Sequence, residues 1–552
     1  MSSNREPEMG KNFWIAMALS MLILVGYPFF LRWLNPQGAA PSLEPAPLIA
    51  THSKESAPEN LAPLSPPEGP FIEKTTPPAV VLLQNQFYKI TFSTLGASVS
   101  QLSYEEDHSK GAIRNIFYDG NPAQPGLLGL KLLHEKEDLN QMIFKVSRQD
   151  RGNNLIEFMF EKAGEYRVTK RYQIQPDLPV IYLDVLLENL SPREKNFPVE
   201  LRYGLQYELK QNEPEASFEA VVFTDKLESA NLGKISKKGF LVSKEIGWAG
   251  FVRKYFTFLV KPDWKAVASQ AEAEAPVLWS NLTMEPLTVA SGKSAEHRFL
   301  IYAGPQRYEV LKGFNMGFEN VLFRGFFGIF KVWLLLALKF CNQFTHNFGW
   351  AIILVTIALK VLFTPLTHMS FESMKRMQAL QPKLKSIQER YKSDPAKLNR
   401  EMMGLYKRNR VNPMGGCLPM VLQIPIFIAF YQVLSDGIEM KGASFLGWIH
   451  DLSEPDRLFL FPMTLPLIGN SFNLLPLLML GSMFWQQKLT PQAGATPEQT
   501  KIMNFMPLIF GFVFYSMPSG LVLYWFVNNV LSIIHQIFVK RMVVVLHHED
   551  RE

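Results

Sequence analysis

The sequence predicts a polytopic α-helical membrane protein with six transmembrane helices, five of which form a core, and a large all-β sandwich domain outside the membrane. Two observations lead to this fold class. Polar and charged residues dominate from about 79 to 320, whereas long apolar runs dominate from about 325 to 540. Charged residues make up 19% of the 552 residues, below the roughly 25% that is typical of soluble domains. These observations exclude a wholly soluble globular protein and a fibrous one.

The positive charge of the chain is concentrated in one segment. The formal net charge is only +6, but the segment from Met369 to Pro413 holds eleven Lys and Arg against four Asp and Glu. The small charge elsewhere argues against a DNA-binding protein. The two cysteines, Cys341 and Cys417, are too few for a disulfide framework or a thiolate metal cluster. The sequence has no G-x-x-x-x-G-K-[ST] phosphate loop either, and no cofactor is predicted.

An apolar run near the N-terminus predicts a membrane anchor over residues 1–34. Phe13 to Leu31 is 19 residues without a charge, long enough to cross a hydrocarbon layer of roughly 30 Å. A cleaved signal peptide is the alternative, but its apolar region is shorter, about 7–15 residues, and ends at a small-residue site. Residues 35–78 contain eleven prolines and few large apolar side chains, so they predict a flexible linker.

Residues 79–320 predict a domain of many short strands. Apolar and polar residues alternate from Val199 to Gln206 with the period of a half-buried strand. Further strand candidates are separated by turn residues: Ala79–Leu83, Phe87–Phe92, Leu155–Phe160, Arg167–Ile174, Val180–Leu187 and Arg298–Ala303. Such a pattern is typical of a sandwich. Its histidines are isolated and no metal-ligand spacing occurs, which favours a scaffold or interaction module over an enzyme.

The apolar segment 321–345 predicts an amphipathic helix that lies in the membrane interface, because Arg324, Lys331 and Lys339 cluster on one side at about 100° per residue. Residues 346–541 predict the five-span core, and residues 542–552 a short cytoplasmic tail. The five spans are Phe348–Leu366, Met414–Leu434, Asn473–Gln487 (entered through the Leu458–Ile468 run), Ile502–Tyr515 and Leu521–Val539.

Basic residues predict the orientation of these spans. The basic segment forms a predicted helical hairpin over residues 370–412, which joins the second and third spans and is expected in the cytoplasm. The β domain then lies on the outer side, and both termini are cytoplasmic. The loop from Asp436 to Arg457 has five acidic residues against two basic ones, as expected of an outer loop.

Helix signals show that the basic segment is folded. Asp394-Pro395 is an N-cap followed by proline at the first helical position, and Gln381-Pro382 opens an earlier helix that ends near Tyr391. The apolar residues available to pack the two helices together are Leu384, Ile387, Met402, Leu405 and Tyr406. Eleven basic residues exceed what orientation requires, which favours docking to ribosomal RNA or lipid headgroups. The candidate docking residues are Lys397, Arg400, Lys407 and Arg408. An ordinary positive-inside loop is the alternative.

Lys360 is the most informative residue of the core, because an ionisable group within a span is costly and marks a functional site by default. Other polar residues of the spans are expected to converge with it on a wet concavity, since polar groups that face lipid lack partners. They are Thr356, Gln423, Tyr524, Trp525 and Asn528, with Asn529 and His535 nearby. Snorkelling of Lys360 toward the interface is the alternative, and the aromatic residues are also compatible with an interfacial belt.

Several stretches of the sequence closely resemble the bacterial YidC membrane protein insertases. The resemblance covers the anchor, the linker, the β domain and the five-span core, and its motifs are together highly specific. They are Thr364-Pro365-Leu366-Thr367, Gln381-Pro382-Lys383, Asn412-Pro413-Met414-Gly415-Gly416-Cys417-Leu418-Pro419, Gln423-Ile424-Pro425-Ile426-Phe427, Trp448-Ile449-His450-Asp451-Leu452 and Pro518-Ser519-Gly520-Leu521-Val522-Leu523-Tyr524-Trp525.

The resemblance implies an insertase and chaperone, not an enzyme, that places nascent proteins in the phospholipid bilayer of the bacterial inner membrane, alone or with the Sec translocon. In this family an arginine of the second span makes a positively charged groove open to the cytoplasm and lipid. Lys360 occupies that position here, and Thr356, Gln423 and Tyr524 match other groove-lining positions. The outer domain is expected in the periplasm with a β-supersandwich fold. The tail after Arg541 lacks the long basic extension that some relatives use on ribosomes.

Two other functions stay open from the residues alone. A secondary transporter would bind an anionic solute at Lys360, although five core spans without an evident internal repeat weaken this interpretation. A membrane-anchored enzyme would act either through the β domain or through a Ser–Lys dyad that uses Lys360, and no serine of the core is placed convincingly for such a dyad in the sequence.

Overall fold

The computed structural model describes residues 77–106, 113–207, 217–392, 394–409, 411, 418–465, 469–489 and 497–549. The predicted anchor Phe13–Leu31 and the Pro-rich linker up to residue 76 lie outside the described residues. The described part consists of a β domain and a set of helices, which correspond to the polar and the apolar half of the sequence.

The polar half folds into short strands, in agreement with the predicted all-β domain. In chain order they are β1 Val80–Gln84, β2 Tyr88–Ser93, β3 Ser98–Glu106, β4 Ile113–Asp119, β5 Gly129–Leu132, β6 Lys145–Asp150, β7 Leu155–Lys162, β8 Tyr166–Ile174, β9 Val180–Asn189, β10 Lys195–Phe197, β11 Val199–Gln206, β12 Glu219–Phe223, β13 Leu227–Asn231, β14 Phe240–Val242, β15 Trp248–Val252, β16 Phe256–Pro262, β17 Ala266–Glu274, β18 Val277–Met284, β19 Leu287–Val289 and β20 Ser294–Pro305. A short helix, α1 (Leu232–Lys238), follows β13. Each predicted strand overlaps one of these strands.

Antiparallel sheets pack face to face in this domain. A nine-stranded sheet has the order β13-β12-β15-β16-β20-β9-β8-β7-β6, and it faces a five-stranded sheet (β14-β17-β18-β11-β5) and a four-stranded sheet (β1-β2-β3-β4). Aromatic side chains fill the space between them: the rings of Phe92 and Phe158 are 6.0 Å apart, and Phe117 and Tyr203 both contact Phe258. Burial of each such ring is worth roughly 1.5–3 kcal/mol, and it stabilises the sandwich.

A second apolar cluster joins the β domain to the apolar half. Helix α2 (Tyr308–Gly313) and the 3-10 helix Phe318–Phe323 pack on the other face of the nine-stranded sheet. There the indole N–H of Trp248 donates to the carbonyl of Met316 at 3.0 Å. The cluster includes Val332, which belongs to the next helix, so it connects the two halves.

The structure corrects the start of the predicted interfacial helix 321–345. Helix α3 spans Gly328–Thr345, because Gly325 adopts a left-handed φ of 77° that separates it from the preceding 3-10 helix. Arg324 therefore lies outside the helix, and Lys331 is buried while Lys339 is half-buried. The three basic residues do not form one exposed stripe.

Helices make up most of the apolar half. After α3 they are α4 Phe348–Ala379, α5 Gln381–Arg390, α6 Pro395–Arg408, α7 Leu418–Asp436, α8 Leu474–Leu489, α9 Pro497–Phe514 and α10 Ser519–Glu549. Among the described residues, two segments, Phe348–Ala379 and Ser519–Phe538, are long and apolar enough to cross a membrane. Helices α3, α4, α7, α8, α9 and α10 enclose a common apolar core.

Two predicted boundaries shift in the structure. Helix α4 continues past the predicted span to Ala379, because residues 367–379 include many good helix formers, so the hairpin begins at Gln381 rather than at residue 370. Pro365 lies inside α4. Helix α10 continues to Glu549, so residues 542–549 of the predicted tail are helical.

The run Leu458–Ile468, predicted as an entry into the Asn473–Gln487 span, is not helical where it is described. It contributes β21 (Phe459–Leu465), which pairs with β22 (Gly469–Phe472) in an antiparallel hairpin. Pro462 disfavours a helix in this run, and the apolar stretch is too short to cross a membrane.

Candidate functional site

The ammonium of Lys360 lies between α4 and α10. Its Nζ donates to the hydroxyl oxygen of Ser532 at 2.5 Å and to the side-chain oxygen of Asn528 at 3.3 Å. Asn528 and Ser532 are four residues apart, so they share one face of α10. Lys360 is half-buried, and in the described part of the chain no carboxylate lies within 4 Å of its Nζ. The cation is therefore held by neutral oxygens.

Ser532 is the site residue that sequence reasoning missed. The signal was its position four residues after Asn528, on the face already chosen for its polar residues. No serine was expected to be placed for a Ser–Lys dyad, and Ser532 does not provide one although it contacts Lys360. The Ser532 hydroxyl donates to the backbone carbonyl of Asn528 at 2.7 Å, so its oxygen accepts from Lys360 and its proton is engaged elsewhere. A Ser–Lys nucleophile needs the opposite arrangement, in which the lysine accepts the serine proton.

Gln423 and Tyr524 form a second polar contact. The amide of Gln423 on α7 donates to the hydroxyl oxygen of Tyr524 on α10. The Tyr524 ring stacks on Phe430 with ring centres 4.0 Å apart and is only 2% exposed. Gln423 is half-buried, so it is the member of the pair with exposed polar surface.

Thr356 does not contribute to an exposed polar surface, although it lies one turn before Lys360 on α4. Its side chain is 1% exposed, and its hydroxyl donates to the carbonyl of Ile352 at 2.6 Å. A threonine hydroxyl in a helix is often satisfied by the carbonyl four residues earlier. The structure thus buries a residue that the sequence placed on the wet concavity.

Trp525 belongs to an aromatic cluster. Its ring centre lies 5.2 Å from that of Phe427, 5.6 Å from that of Phe510 and 5.2 Å from that of Phe514. The tryptophan is half-buried. The cluster packs α7 and α9 against α10, next to the Gln423–Tyr524 contact.

A half-buried ammonium with neutral partners keeps its unit charge available to an anion. The attraction between two unit charges at 4 Å is about 1 kcal/mol in water and about 4 kcal/mol at an effective dielectric constant of 20. Such an energy suits reversible binding of a carboxylate. No group of three His, Cys, Asp or Glu in the described ranges could hold a metal ion.

The four basic residues predicted for docking lie on one side of α6. Lys397, Arg400, Lys407 and Arg408 are all exposed, and at about 100° per residue they fall within an arc of about 100°. The other side packs on α5 in a cluster of Met377, Leu380, Leu384, Leu405, Tyr406 and Val411. Asp394 caps α6 as predicted, since its side chain accepts from the backbone N–H of Lys397 at 3.0 Å.

Comparisons with known proteins give two matching family models and many sequence relatives. The family model described as 60Kd inner membrane protein matches residues 340–546, and the one described as YidC periplasmic domain matches residues 80–337. A membrane protein insertase YidC of Cupriavidus necator is 31% identical over 572 residues, which cover 96% of this chain and 96% of the relative. One of Pelobacter propionicus is 41% identical over 325 residues, 58% of this chain and 59% of the relative. A solved structure described as an active YidC insertase has a TM-score of 0.36 and 20% identity, over 84% of this chain and 92% of that one.

Proposed function

This chain belongs to the family of YidC membrane protein insertases, and we propose that it inserts nascent proteins through a polar groove centred on Lys360. The family acts on nascent membrane proteins in the bilayer of the bacterial inner membrane and consists of insertases, not enzymes. The β domain is the periplasmic domain of the family. These relatives support the insertase rather than the secondary transporter that the sequence left open.

The main support for the groove is the half-buried ammonium of Lys360, which lies between two membrane helices and has Ser532 and Asn528 as neutral partners. The groove further comprises Gln423 as a donor and Tyr524 and Trp525 as its aromatic wall. Thr356 supports α4 from within the core. A polar or acidic outer segment of a substrate is stabilised there during transfer, since an unpaired polar group in hydrocarbon costs several kcal/mol.

Release into lipid supplies the driving force of insertion. The apolar stretch of the substrate moves from the groove into the bilayer, and burial of its apolar surface stabilises the product by about 25 cal/mol per Å². No covalent step and no nucleotide is required. The weak attraction of a single lysine suits this sequence of events, because a tightly bound substrate would not leave.

The proposed topology has six spans, five of them in the core, with both termini in the cytoplasm. It is supported by the basic segment around α5 and α6, which positive-inside orientation places in the cytoplasm. The acidic loop after α7 and the periplasmic β domain then lie on the same outer side. Residues Phe13–Leu31 supply the first span in this proposal.

Two further partners follow from the charge of the hairpin and from the family. The exposed basic face of α6, formed by Lys397, Arg400, Lys407 and Arg408, is proposed to contact ribosomal RNA. Cooperation with the Sec translocon is proposed from the resemblance alone. Both partners would deliver a nascent chain to the cytoplasmic mouth of the groove.

The test of the groove uses the full chain reconstituted in liposomes and two versions of one small membrane protein. The versions differ only in Asp and Glu against Asn and Gln in the outer segment. We expect Lys360→Arg to insert both. Lys360→Met should insert the acidic version roughly tenfold less efficiently, because a loss of about 1.4 kcal/mol of attraction between the groove and the substrate corresponds to a factor of ten. Lys360→Glu should insert it less efficiently still.

The neutral version of the substrate is the internal control, because it needs no cation. Its insertion by Lys360→Met should remain close to that of the parent chain. If Lys360→Met and Lys360→Glu insert the acidic version as well as the parent does, Lys360 only snorkels and the groove has no electrostatic role.

A further inference from the structure

A charged cavity of about 380 Å³ lies where the β domain meets the membrane helices. Its wall combines Glu219 of β12, Arg324 after the 3-10 helix, Lys331 of α3, and Gln432 and Asp436 near the end of α7. Two cations and two carboxylates therefore face one open cavity. Cavities of about 300–1,000 Å³ are the usual size for small-molecule sites.

Lys331 is a buried cation without a bonded partner. Its side chain is 8% exposed, and among the described residues its ammonium has no hydrogen bond and no carboxylate within 4 Å. Burial lowers the pKa of Lys331 to about 8, although Asp436 opposes this shift, so the ammonium is still mostly charged at pH 7. A buried charge of this kind is costly unless it is paired.

The other polar groups of the wall are also incompletely satisfied. The guanidinium of Arg324 donates to the carbonyl of Val321 at 2.6 Å. Its Nε lies 3.3 Å from a carboxylate oxygen of Glu219, but this ion pair lacks the geometry of a hydrogen bond. The side-chain oxygen of Gln432 is buried and has no donor in the described residues. Native proteins leave few such atoms without a partner, which indicates that something polar occupies the cavity.

The position of the cavity is that of outer-leaflet headgroups. The exposed side of α3 is strongly apolar: Ile329 is 64% exposed and Trp333 is 75% exposed. Such a helix lies with this side in the acyl region and its other side toward headgroups and protein. Lys331 in its first turns is thus at the level of lipid phosphates, a placement that rests on the proposed topology.

We propose that this cavity binds the phosphoethanolamine headgroup of a phospholipid, with the phosphate at Lys331 and Arg324 and the primary ammonium at Asp436 and Glu219. A simple anion would satisfy Lys331, but it would leave Asp436 without a partner and would compete with Glu219 for Arg324. The phosphodiester of this headgroup supplies two anionic non-bridging oxygens as acceptors, and its primary ammonium supplies three N–H donors, so the headgroup matches both signs of charge. The bound lipid would attach the β domain to the membrane at a fixed height.

The test is native mass spectrometry of the full chain, released from detergent that contains equal amounts of phosphatidylethanolamine, phosphatidylcholine and phosphatidylglycerol. The parent chain should retain mainly phosphatidylethanolamine, since phosphocholine has no N–H to donate and phosphoglycerol has no cation. Lys331→Met should reduce the retained phosphatidylethanolamine about tenfold, because it removes one charge-assisted contact to the phosphate.

Lys339→Met is the matched control, since Lys339 lies on the same helix but is bonded to Glu309 and Glu439 outside the cavity wall. It should retain lipid as the parent does. Glu219→Gln leaves both cations in place and should abolish the preference for phosphatidylethanolamine over phosphatidylglycerol. Equal retention of all three lipids by the parent chain would overturn the proposal without any variant, and so would unchanged retention by Lys331→Met. The readout is lipid binding, so it is independent of insertion through the Lys360 groove.

Discussion

The two oxygens that hold Lys360 fix the position of its ammonium without neutralising its charge. Ser532 and Asn528 accept from it, and the Ser532 hydroxyl is itself oriented by the backbone carbonyl of Asn528. A carboxylate partner in the same place would cancel the charge that a substrate needs. Lys360 and Asn528 could be found in the sequence, because charged and amide residues are rare in apolar spans. Ser532 carried only a weak signal, its position one turn after Asn528, since serine is common in spans and the packing of α10 on α4 is what selects this one.

Loss of the Ser532 hydroxyl should weaken the groove without removing its charge. Ser532→Val leaves Lys360 with one acceptor fewer and has the same volume as the Thr variant with which it is compared. A hydrogen bond to a charged group is worth about 1.5–3 kcal/mol, so we expect at least a several-fold decrease in insertion of substrates with acidic outer segments. Ser532→Thr retains the hydroxyl and is the control. Equal activity of the Val and Thr variants in reconstituted liposomes would show that Ser532 does not position the lysine.

Lys170 in the β domain is another buried cation, and it has a different environment. Its side chain on β8 is fully buried, and its Nζ donates to the carbonyls of Gly96 at 3.0 Å and Leu128 at 2.7 Å. Burial lowers the pKa of Lys170 from 10.5 to about 7, a difference on the order of 5 kcal/mol between the protonation states. The sequence does distinguish this residue, because Lys170 is the one charged side chain on the inward face of β8, between Val168 and Tyr172.

The β domain should therefore become more stable as the pH rises above 7. Between the folded pKa of about 7 and the unfolded pKa of 10.5, the unfolded chain binds a proton at Lys170 that the folded chain does not. The free energy of unfolding then increases with pH, by about 2 kcal/mol from this group between pH 7 and pH 9. Lys170→Met should lack this increase, and the exposed Lys145→Met should keep it. Pulse proteolysis of the full chain in urea measures the difference, and equal pH profiles of parent and Lys170→Met would contradict it.

At the level of elements, the strands with alternating residues could be predicted and the fully buried ones could not. Strand β11 alternates in burial and was found from its period of two. All five residues of β15 (Trp248–Val252) are buried, as are six of the seven in β16 (Phe256–Pro262), so neither shows alternation. These strands lie inside the nine-stranded sheet with sandwich core on one face and the Trp248 cluster on the other. The burial pattern of β15 and β16 is therefore decided by the layers that pack on the two faces of the sheet, not by alternation within the strands.

The hairpin of α5 and α6 could be predicted closely, because its signals are local. A proline opens each helix, and Asp394 caps the second. The start of the hairpin was placed too early, since α4 continues without a break from apolar to polar residues. Charge and hydropathy mark where a helix leaves the membrane, but not where it ends.

The basic face of α6 is expected to bind ribosomal phosphates by salt-dependent attraction. Replacing Lys397, Arg400, Lys407 and Arg408 by Glu should weaken co-sedimentation of ribosomes with membrane vesicles at low salt, and it should slow co-translational insertion. Orientation should be kept, because seven basic residues remain in the segment and acidic residues contribute little to it. Protease mapping checks the orientation first.

A matched variant separates this face from the bulk charge of the segment. Lys383, Lys385, Arg390 and Lys392 are also exposed, and their replacement by Glu changes the net charge by the same amount. We expect this variant to bind ribosomes better than the α6 variant does. Equal losses would assign the effect to total charge, and unchanged binding by the α6 variant would exclude the docking role.

The whole molecule has separate apolar cores for its two halves. Among the described residues, the buried cluster of the helices takes no member from the β strands, and the sandwich core includes only Ile438 from the membrane half. The halves meet mainly through the cluster around Val332 and Phe318 and through the charged cavity. The change of composition near residue 320 marked the division. It could not show that the segment before it packs on the outer face of the sandwich, because that contact joins residues far apart in sequence, such as Trp248 and Met316.

Separate cores predict that the membrane half folds without the β domain. A chain that lacks residues 79–323 should reach the membrane at the level of the parent and keep most of its insertion activity, since no buried member of the helical core is removed. Extending the deletion through α3 to residue 345 removes Leu334, Leu335 and Leu338 from that core, and burial of each leucine is worth roughly 1.5–3 kcal/mol. The longer deletion should therefore be unstable and inactive. Immunoblots of membrane fractions and complementation of a strain depleted of its own insertase measure both properties. If the shorter deletion is stably present but inactive, the periplasmic domain takes part in insertion itself, and the connection through Val332 and the cavity is the place to look for its coupling to the groove.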